Sequence, residues 1–226
     1  MLPWIQIDTA KIPGSSEELR LKRRGQEYSI MLGSNELMNS RLSGSEQALA
    51  TLARDKISDR IGSRILIGGL GMGFTLRAAL AVVDATAKIT VAELVPAVVA
   101  WARGPMADLH GGSLDDPRVS IFEGDVGAAI RAARGSYDAI LLDVDNGPEG
   151  LSRPGNDSLY DRKGLGEAWQ ALSPGGVLTV WSSHPDPQFT RRLGQAGFVA
   201  EEKPVRAHGK SGARHMIWLA VRPGKN

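Results

Sequence analysis

Acidic side chains at the ends of short aliphatic runs are the residues of this sequence best suited to chemistry. "KITVAE" ends on Glu93, "VSIFEGD" on Asp125, and "YDAILLDVDN" on Asp143, Asp145 and Asn146. An ionised carboxylate accepts hydrogen bonds from hydroxyl and amino groups, and it can take or orient the proton of an attacking amine. A fourth run, "ILIGGLGMGF", is different: it ends on Gly68, Gly69, Gly71 and Gly73. Glycine loses the most conformational freedom on folding, so a concentration of it marks a place that needs bare backbone. Without side chains, backbone amides and a helix N-terminus approach a ligand closely.

The spacing Gly69, Gly71, Gly73 is G-x-G-x-G. It is neither the dinucleotide form G-x-G-x-x-G nor a P-loop, which carries a lysine. A turn built only for tight packing is the alternative use. Glu93 follows Gly73 by 20 residues, the spacing at which an acidic strand end accepts the hydroxyls of a ribose. A solvated strand end is the plainer reading, and the spacing favours the ribose. Asp125, with Val126 beside it, caps the next helix or accepts from an adenine amino group, and one side chain can do both. Asp143 either serves catalysis or bonds backbone amides at its strand end.

These residues need a frame that brings strand ends together, and the rest of the chain supplies one. Aliphatic runs alternate with helical patterns from "SGSEQALATLARDKI" onward: "RILIGG" then "FTLRAALAVV", "KITVAE" then "PAVVAWAR", "VSIFEG" then "VGAAIRAAR". "YDAILLDV", "GLGEAWQAL", "GVLTVWSS" and "PQFTRRLGQAG" continue the alternation. It implies right-handed βαβ units and a mostly parallel sheet covered on both faces. "FVAEEKPVR" and "HMIWLAVR" have no helix between them and are expected to pair antiparallel at one sheet edge. Ser43 or Ser45 is expected to cap the first helix, and "SPGG" to turn into the fifth strand. Residues 1–45 alternate polar and apolar with Gly25 and Gly33 as punctuation, which reads as a small β-rich extension. Residues 46–226 then form the main domain. Trp101 and Trp169 read as helix core, Trp181 and Trp218 as strand core, and Trp4 as part of the extension.

Bulk properties narrow the function classes. Hydrophobic content is 42%, charged content 23% and formal net charge +2, so nothing marks a nucleic-acid binder. No apolar run approaches the roughly 20 residues of a membrane span. The start lacks the basic and apolar stretches of a secretory signal. There is no cysteine, hence no disulfide and no thiol nucleophile. The expectation is a cytoplasmic protein without membrane contact. His110, His184, His208 and His215 show no metal-ligand spacing, and no metal is expected.

"SEQALA", "ILIGGLGMG", "VAELVPAV", "DDPRVSIFEGD", "YDAILLDVDNGP", "SLYD" and "LSPGGVL" together resemble the spermidine synthase (polyamine aminopropyltransferase) family, within the class I S-adenosylmethionine-dependent methyltransferase fold. The resemblance implies a Rossmann-like seven-stranded α/β sheet with an antiparallel edge hairpin and an N-terminal β extension. It also implies an adenosyl cofactor, with Gly69, Gly71 and Gly73 beside its aminoacyl or aminopropyl end, Glu93 on the ribose and Asp125 on the adenine. The sequence departs from the family where the family is acidic or aromatic. Gly71 stands for an aspartate of the glycine loop and Asn146 for the second aspartate of D-S-S-D-P. Gly44 and Ser45 stand for the tyrosine and histidine before Glu46. A diamine dication needs carboxylates to offset its desolvation. These departures therefore set the expectation: methyl transfer from S-adenosylmethionine to a small or medium-sized acceptor, with Asp143, Asp145 and Asn146 flooring the pocket. Aminopropyl transfer from decarboxylated S-adenosylmethionine is the alternative, and adenosyl binding without turnover the third reading. The segment from Asn146 to Leu159 reads as a gate whose Arg153 favours an anionic acceptor, and a homodimer is possible.

Overall fold

The computed structural model describes residues 2–144, 148, 158–208 and 211–224. Its first sheet consists of β1 (Ile5–Lys11), β2 (Glu18–Arg24), β3 (Glu27–Leu32) and β4 (Asn35–Asn39), antiparallel and in sequential order. In β2 the alternation predicted from "ELRLKRR" is observed: Leu19 and Leu21 are buried, while Arg20, Lys22 and Arg24 take the other face. Helix α1 (Gly44–Lys56) follows, burying Leu49, Ala50 and Ala53. Of the two expected caps, Ser43 holds the N-cap position, though its hydroxyl accepts from the Gln47 side chain at 3.0 Å rather than from a backbone amide. Ser45 lies inside the helix, where its hydroxyl bonds elsewhere.

The second sheet has seven strands: β5 (Arg64–Gly68), β6 (Lys88–Glu93), β7 (Val119–Glu123), β8 (Tyr137–Leu142), β9 (Leu172–Ser182), β10 (Val199–His208) and β11 (Ser211–Val221). Their spatial order is β10-β11-β9-β8-β5-β6-β7. The pairs from β9 to β7 are parallel, and β11 runs antiparallel to both β9 and β10. Helices α2 (Phe74–Val82), α3 (Pro96–Arg103), α4 (Ala107–His110), α5 (Val126–Arg131), α6 (Arg162–Ala171) and α7 (Pro187–Gln195) accompany the strands, with a 3-10 turn at Ser113–Asp115. This is the Rossmann-like, mostly parallel α/β fold expected from the alternation.

The central strands are continuous apolar runs because both faces of the sheet are covered. Ile65, Ile67, Ala139 and Leu141 face one core, which they share with α1, α2, α3 and the first sheet. Leu66, Ile140 and Leu142 face the other, shared with α5, α6 and α7. The period of two along a strand sorts each run between the layers. Two further links tie the sheets together: Trp101 Nε1 donates to Asp8 Oδ2 at 2.7 Å, and the Tyr28 hydroxyl donates to the Pro105 carbonyl. The "SPGG" stretch is not a separate turn. It forms the irregular start of β9, where the register against β8 shifts and Gly175 donates to the Arg222 carbonyl at 2.9 Å. Among the described residues no helix is long and apolar enough to cross a membrane.

Candidate active site

From β5 the chain proceeds to β6 and β7 on one side, then returns to β8 on the other. The carboxyl ends of β5 and β8 therefore flank the topological switch point, the place where open α/β sheets bind ligands. Gly68 pairs with Leu142 there, and the Asp143 amide donates to the Gly68 carbonyl at 3.0 Å. Gly69 has φ +88°, and a side chain on it would collide with the Asp143 carbonyl. Gly73, at φ +76°, begins α2 against the ring of His110. Bare backbone is thus required on both sides of the turn, once for the end of β8 and once for a buried imidazole.

Beside this turn lies an open cleft with about 760 Å³ of empty space. It gathers Gly69, Gly71, Glu93, Asp125, Val126 and Asp143 on the strand-end side. Gly73 is one step behind the lining, as the N-cap of α2. The opposite wall was not anticipated: Ile12, Leu19, Ile30, Leu37 and Met38 from the first sheet roof the cleft. A Cβ on Gly71 would stand 2.7 Å from Met38 Sδ, so roof and turn are in direct contact. A side chain at Gly71 would have to displace Met38.

Glu93 is only 8% exposed, which excludes the solvated strand end. Its Oε2 accepts from the Leu70 amide at 3.0 Å and its Oε1 from the Val95 amide at 2.8 Å. Burial raises its pKa, while the amides of Val95, Leu70, Gly71 and Leu94 oppose the rise. Asp125 caps α5 through the Gly127 amide at 2.9 Å and pairs with Arg131 at 3.3 Å, while its side chain stays half exposed. Capping leaves acceptor capacity toward the cleft, so the two expected roles remain compatible. Asp143 Oδ2 accepts from the Thr75 hydroxyl at 2.7 Å, and Thr75 Oγ1 also lies 3.4 Å from the Glu46 carbonyl. Asp145, Asn146, Arg153 and most of the expected gate fall outside the described residues.

Ser45 and Glu46 were singled out in the sequence, but their link to His215 and the burial of His110 were not. Ser45 is 1% exposed; its hydroxyl donates to Glu46 Oε2 at 2.7 Å, and its Oγ lies 2.9 Å from His215 Nδ1. Burial raises the Glu46 pKa, opposed by the Ser45 bond. Burial, with the charge of His184, lowers that of His215. His110 is 1% exposed, and neither ring nitrogen has a hydrogen-bond partner among the described residues. Contacts across 170 positions, such as Ser45 to His215, leave no periodicity in a sequence.

Comparison with known proteins adds the family. A sequence profile described as the spermine/spermidine synthase domain matches residues 56–191. Polyamine aminopropyltransferase 1 of Streptomyces coelicolor is 34% identical over 125 residues, 54% of this chain and 23% of that protein. The polyamine aminopropyltransferase of Mycobacterium tuberculosis is 29% identical over 172 residues, 75% of this chain and 31% of that protein. The chain thus spans less than a third of the length of these two relatives. The crystal structure of spermidine synthase from Thermotoga maritima superposes with a TM-score of 0.70 over 97% of this chain and 73% of that one, at 17% identity. That likeness establishes the fold. These findings overturn the expectation of methyl transfer to an unidentified acceptor, which rested on the missing acidic and aromatic residues. Residues that differ at four motif positions weigh less than a profile matching over half the chain. The matched segment carries the glycine turn and the described strand-end carboxylates Glu93, Asp125 and Asp143: the chain belongs to the spermine/spermidine synthase domain family.

Proposed function

We propose that this protein transfers an aminopropyl group from decarboxylated S-adenosylmethionine to a di- or polyamine acceptor. The observation that carries the reading is the family match over a segment that contains Gly69, Glu93, Asp125 and Asp143, four residues lining one cleft. The cleft fits an adenosyl group: half-exposed Asp125 accepts from the adenine, Glu93 from the ribose, and the roof of Ile12, Leu19 and Ile30 covers the apolar faces. Bound there, the sulfonium supplies an electrophilic carbon and a neutral thioether leaving group.

The remaining work belongs to the chain's own side chains. An acceptor amine resembles that of lysine, with a pKa near 10, and arrives protonated at pH 7. Asp143, on the cleft wall, provides negative charge for it. The Glu46 carboxylate adds to it from the start of α1, whose backbone reaches this wall: Thr75 Oγ1, which donates to Asp143, lies 3.4 Å from the Glu46 main-chain carbonyl. A carboxylate beside the ammonium orients it and takes its proton, which frees the nitrogen lone pair to attack the carbon as the carbon–sulfur bond breaks. The roof excludes water and holds the reacting groups near each other, which converts a two-body encounter into an intramolecular one.

The same charges select the donor. Full S-adenosylmethionine carries a carboxylate that would face Asp143 and Glu46, and like charges in a desolvated site repel. A thermal-shift comparison tests this, because a ligand that binds only the folded state raises its stability by mass action. Decarboxylated S-adenosylmethionine is expected to raise the unfolding midpoint more than S-adenosylmethionine at equal concentration. A larger shift with the carboxylated form would contradict the reading.

A further inference from the structure

The groups assigned above to adenine, ribose and acceptor follow the spatial order of the strands. Asp125 stands beyond β7, Glu93 ends β6, Gly69 follows β5 and Asp143 follows β8. A ligand laid across these strand ends reaches β9 and β11 next. Because β11 runs antiparallel to β9, the segment preceding Met216, which pairs with Ser182, comes to this same edge. His215 is the residue there. Its ring packs edge-on against Trp181 with centroids 4.8 Å apart.

Gly44 explains how His215 reaches helix α1. A Cβ at Gly44 would lie 3.0 Å from the carbonyls of Arg206 and Ala207, so a side chain there would push the β10–β11 hairpin back by a few tenths of an ångström. The approach sets His215 Nδ1 2.9 Å from Ser45 Oγ. Ser45 has one hydroxyl hydrogen, and it is given to Glu46 Oε2. The His215 contact must then run the other way, Nδ1–H donating to Ser45 Oγ, which fixes the imidazole tautomer. Neutral imidazole suits that bond, and burial favours it. Among the described residues no lysine or arginine forms an ion pair with Glu46. Its partly buried carboxylate is instead held by a hydroxyl that is itself held by an imidazole.

We propose that His215 is a positioning residue for the amine acceptor: acting through Ser45, it fixes the Glu46 carboxylate where one ammonium group of the acceptor pairs with it. The inference rests on the aminopropyl-transfer reading and adds a residue to it. The histidine comes from the edge hairpin, on a different element from the helix that carries the carboxylate.

The test is a split between the two substrates. His215→Ala and Ser45→Ala should each raise KM for putrescine about tenfold, the scale of one hydrogen bond to a charged group, with KM for decarboxylated S-adenosylmethionine unchanged. His215→Asn keeps a donor near the Nδ1 position and should recover most of the loss. An unchanged putrescine KM in His215→Ala, or a donor KM that rises in parallel with it, overturns the assignment. Putrescine binding by calorimetry in the presence of methylthioadenosine separates this from the reaction itself. If the wild type turns nothing over but binds putrescine, and His215→Ala binds it about tenfold more weakly, the positioning role stands without the aminopropyl reading. Equal binding by both, or none by the wild type, overturns the role.

Discussion

Glu93 ties the glycine turn to the start of α3, the proposed function gives it a second task on a ribose, and one substitution separates the two. Each carboxylate oxygen receives a backbone amide, from Leu70 in the glycine turn and from Val95 ahead of α3. The amides of Gly71 and Leu94 also act on this carboxylate, so a ligand hydroxyl would share its oxygens with the turn. Glu93→Ala strands two buried donors and should cost about 2 kcal/mol of stability, within the usual penalty for unmet polar groups. It should also remove most of the stabilisation that methylthioadenosine gives the wild type. Urea denaturation with and without methylthioadenosine measures both quantities, and an undiminished ligand effect would contradict the ribose assignment. The sequence disclosed the residue and its spacing from the glycines. It did not disclose the burial, because an acidic residue at a strand end reads as solvated until the elements that enclose it are placed.

At the scale of elements, α4 carries an imidazole into the packing beneath the start of α2. His110 lies against Gly73 with no hydrogen-bond partner among the described residues, and burial, aided by the charge of Arg77, lowers its pKa from 6.5 to about 4. The folded chain therefore binds this proton later than the unfolded chain does. Above pH 6.5 neither state holds it and the linkage is silent; between about 6.5 and about 4 the unfolded state gains the proton first, and stability falls. The full loss is about 3 kcal/mol. The stability of the wild type relative to His110→Leu should decline by that amount between pH 7 and pH 4, as followed by urea denaturation. A constant difference would mean that the imidazole is solvated. Strands and helices were legible here because continuous aliphatic runs report burial on both faces, as in "DAILL" of β8. Of the two cap candidates Ser43 takes the N-cap, because Ser45 is recruited by a strand 170 residues away, and the "SPGG" turn was misplaced because the β9 ladder absorbs its glycines as an irregularity.

At the scale of the whole molecule, the first sheet completes the site rather than decorating it. Its inward residues share one core with α1, α2 and α3 and roof the cleft from Ile12 to Met38. Alternation alone identified those strands but gave no hint of which surface they cover. On the proposed reading, the order of strand ends from β7 to β11 lays out adenine, ribose, reacting carbon and amine along one edge. That layout makes a stoichiometric claim, and one measurement tests it most directly. Purified protein is incubated with putrescine and decarboxylated S-adenosylmethionine, and in parallel with putrescine and S-adenosylmethionine, and the products are resolved by mass spectrometry. The account predicts spermidine and methylthioadenosine in equal amounts from the first mixture and no methylated putrescine from the second. N-methylputrescine with S-adenosylhomocysteine from the second mixture, and no spermidine from the first, would contradict it.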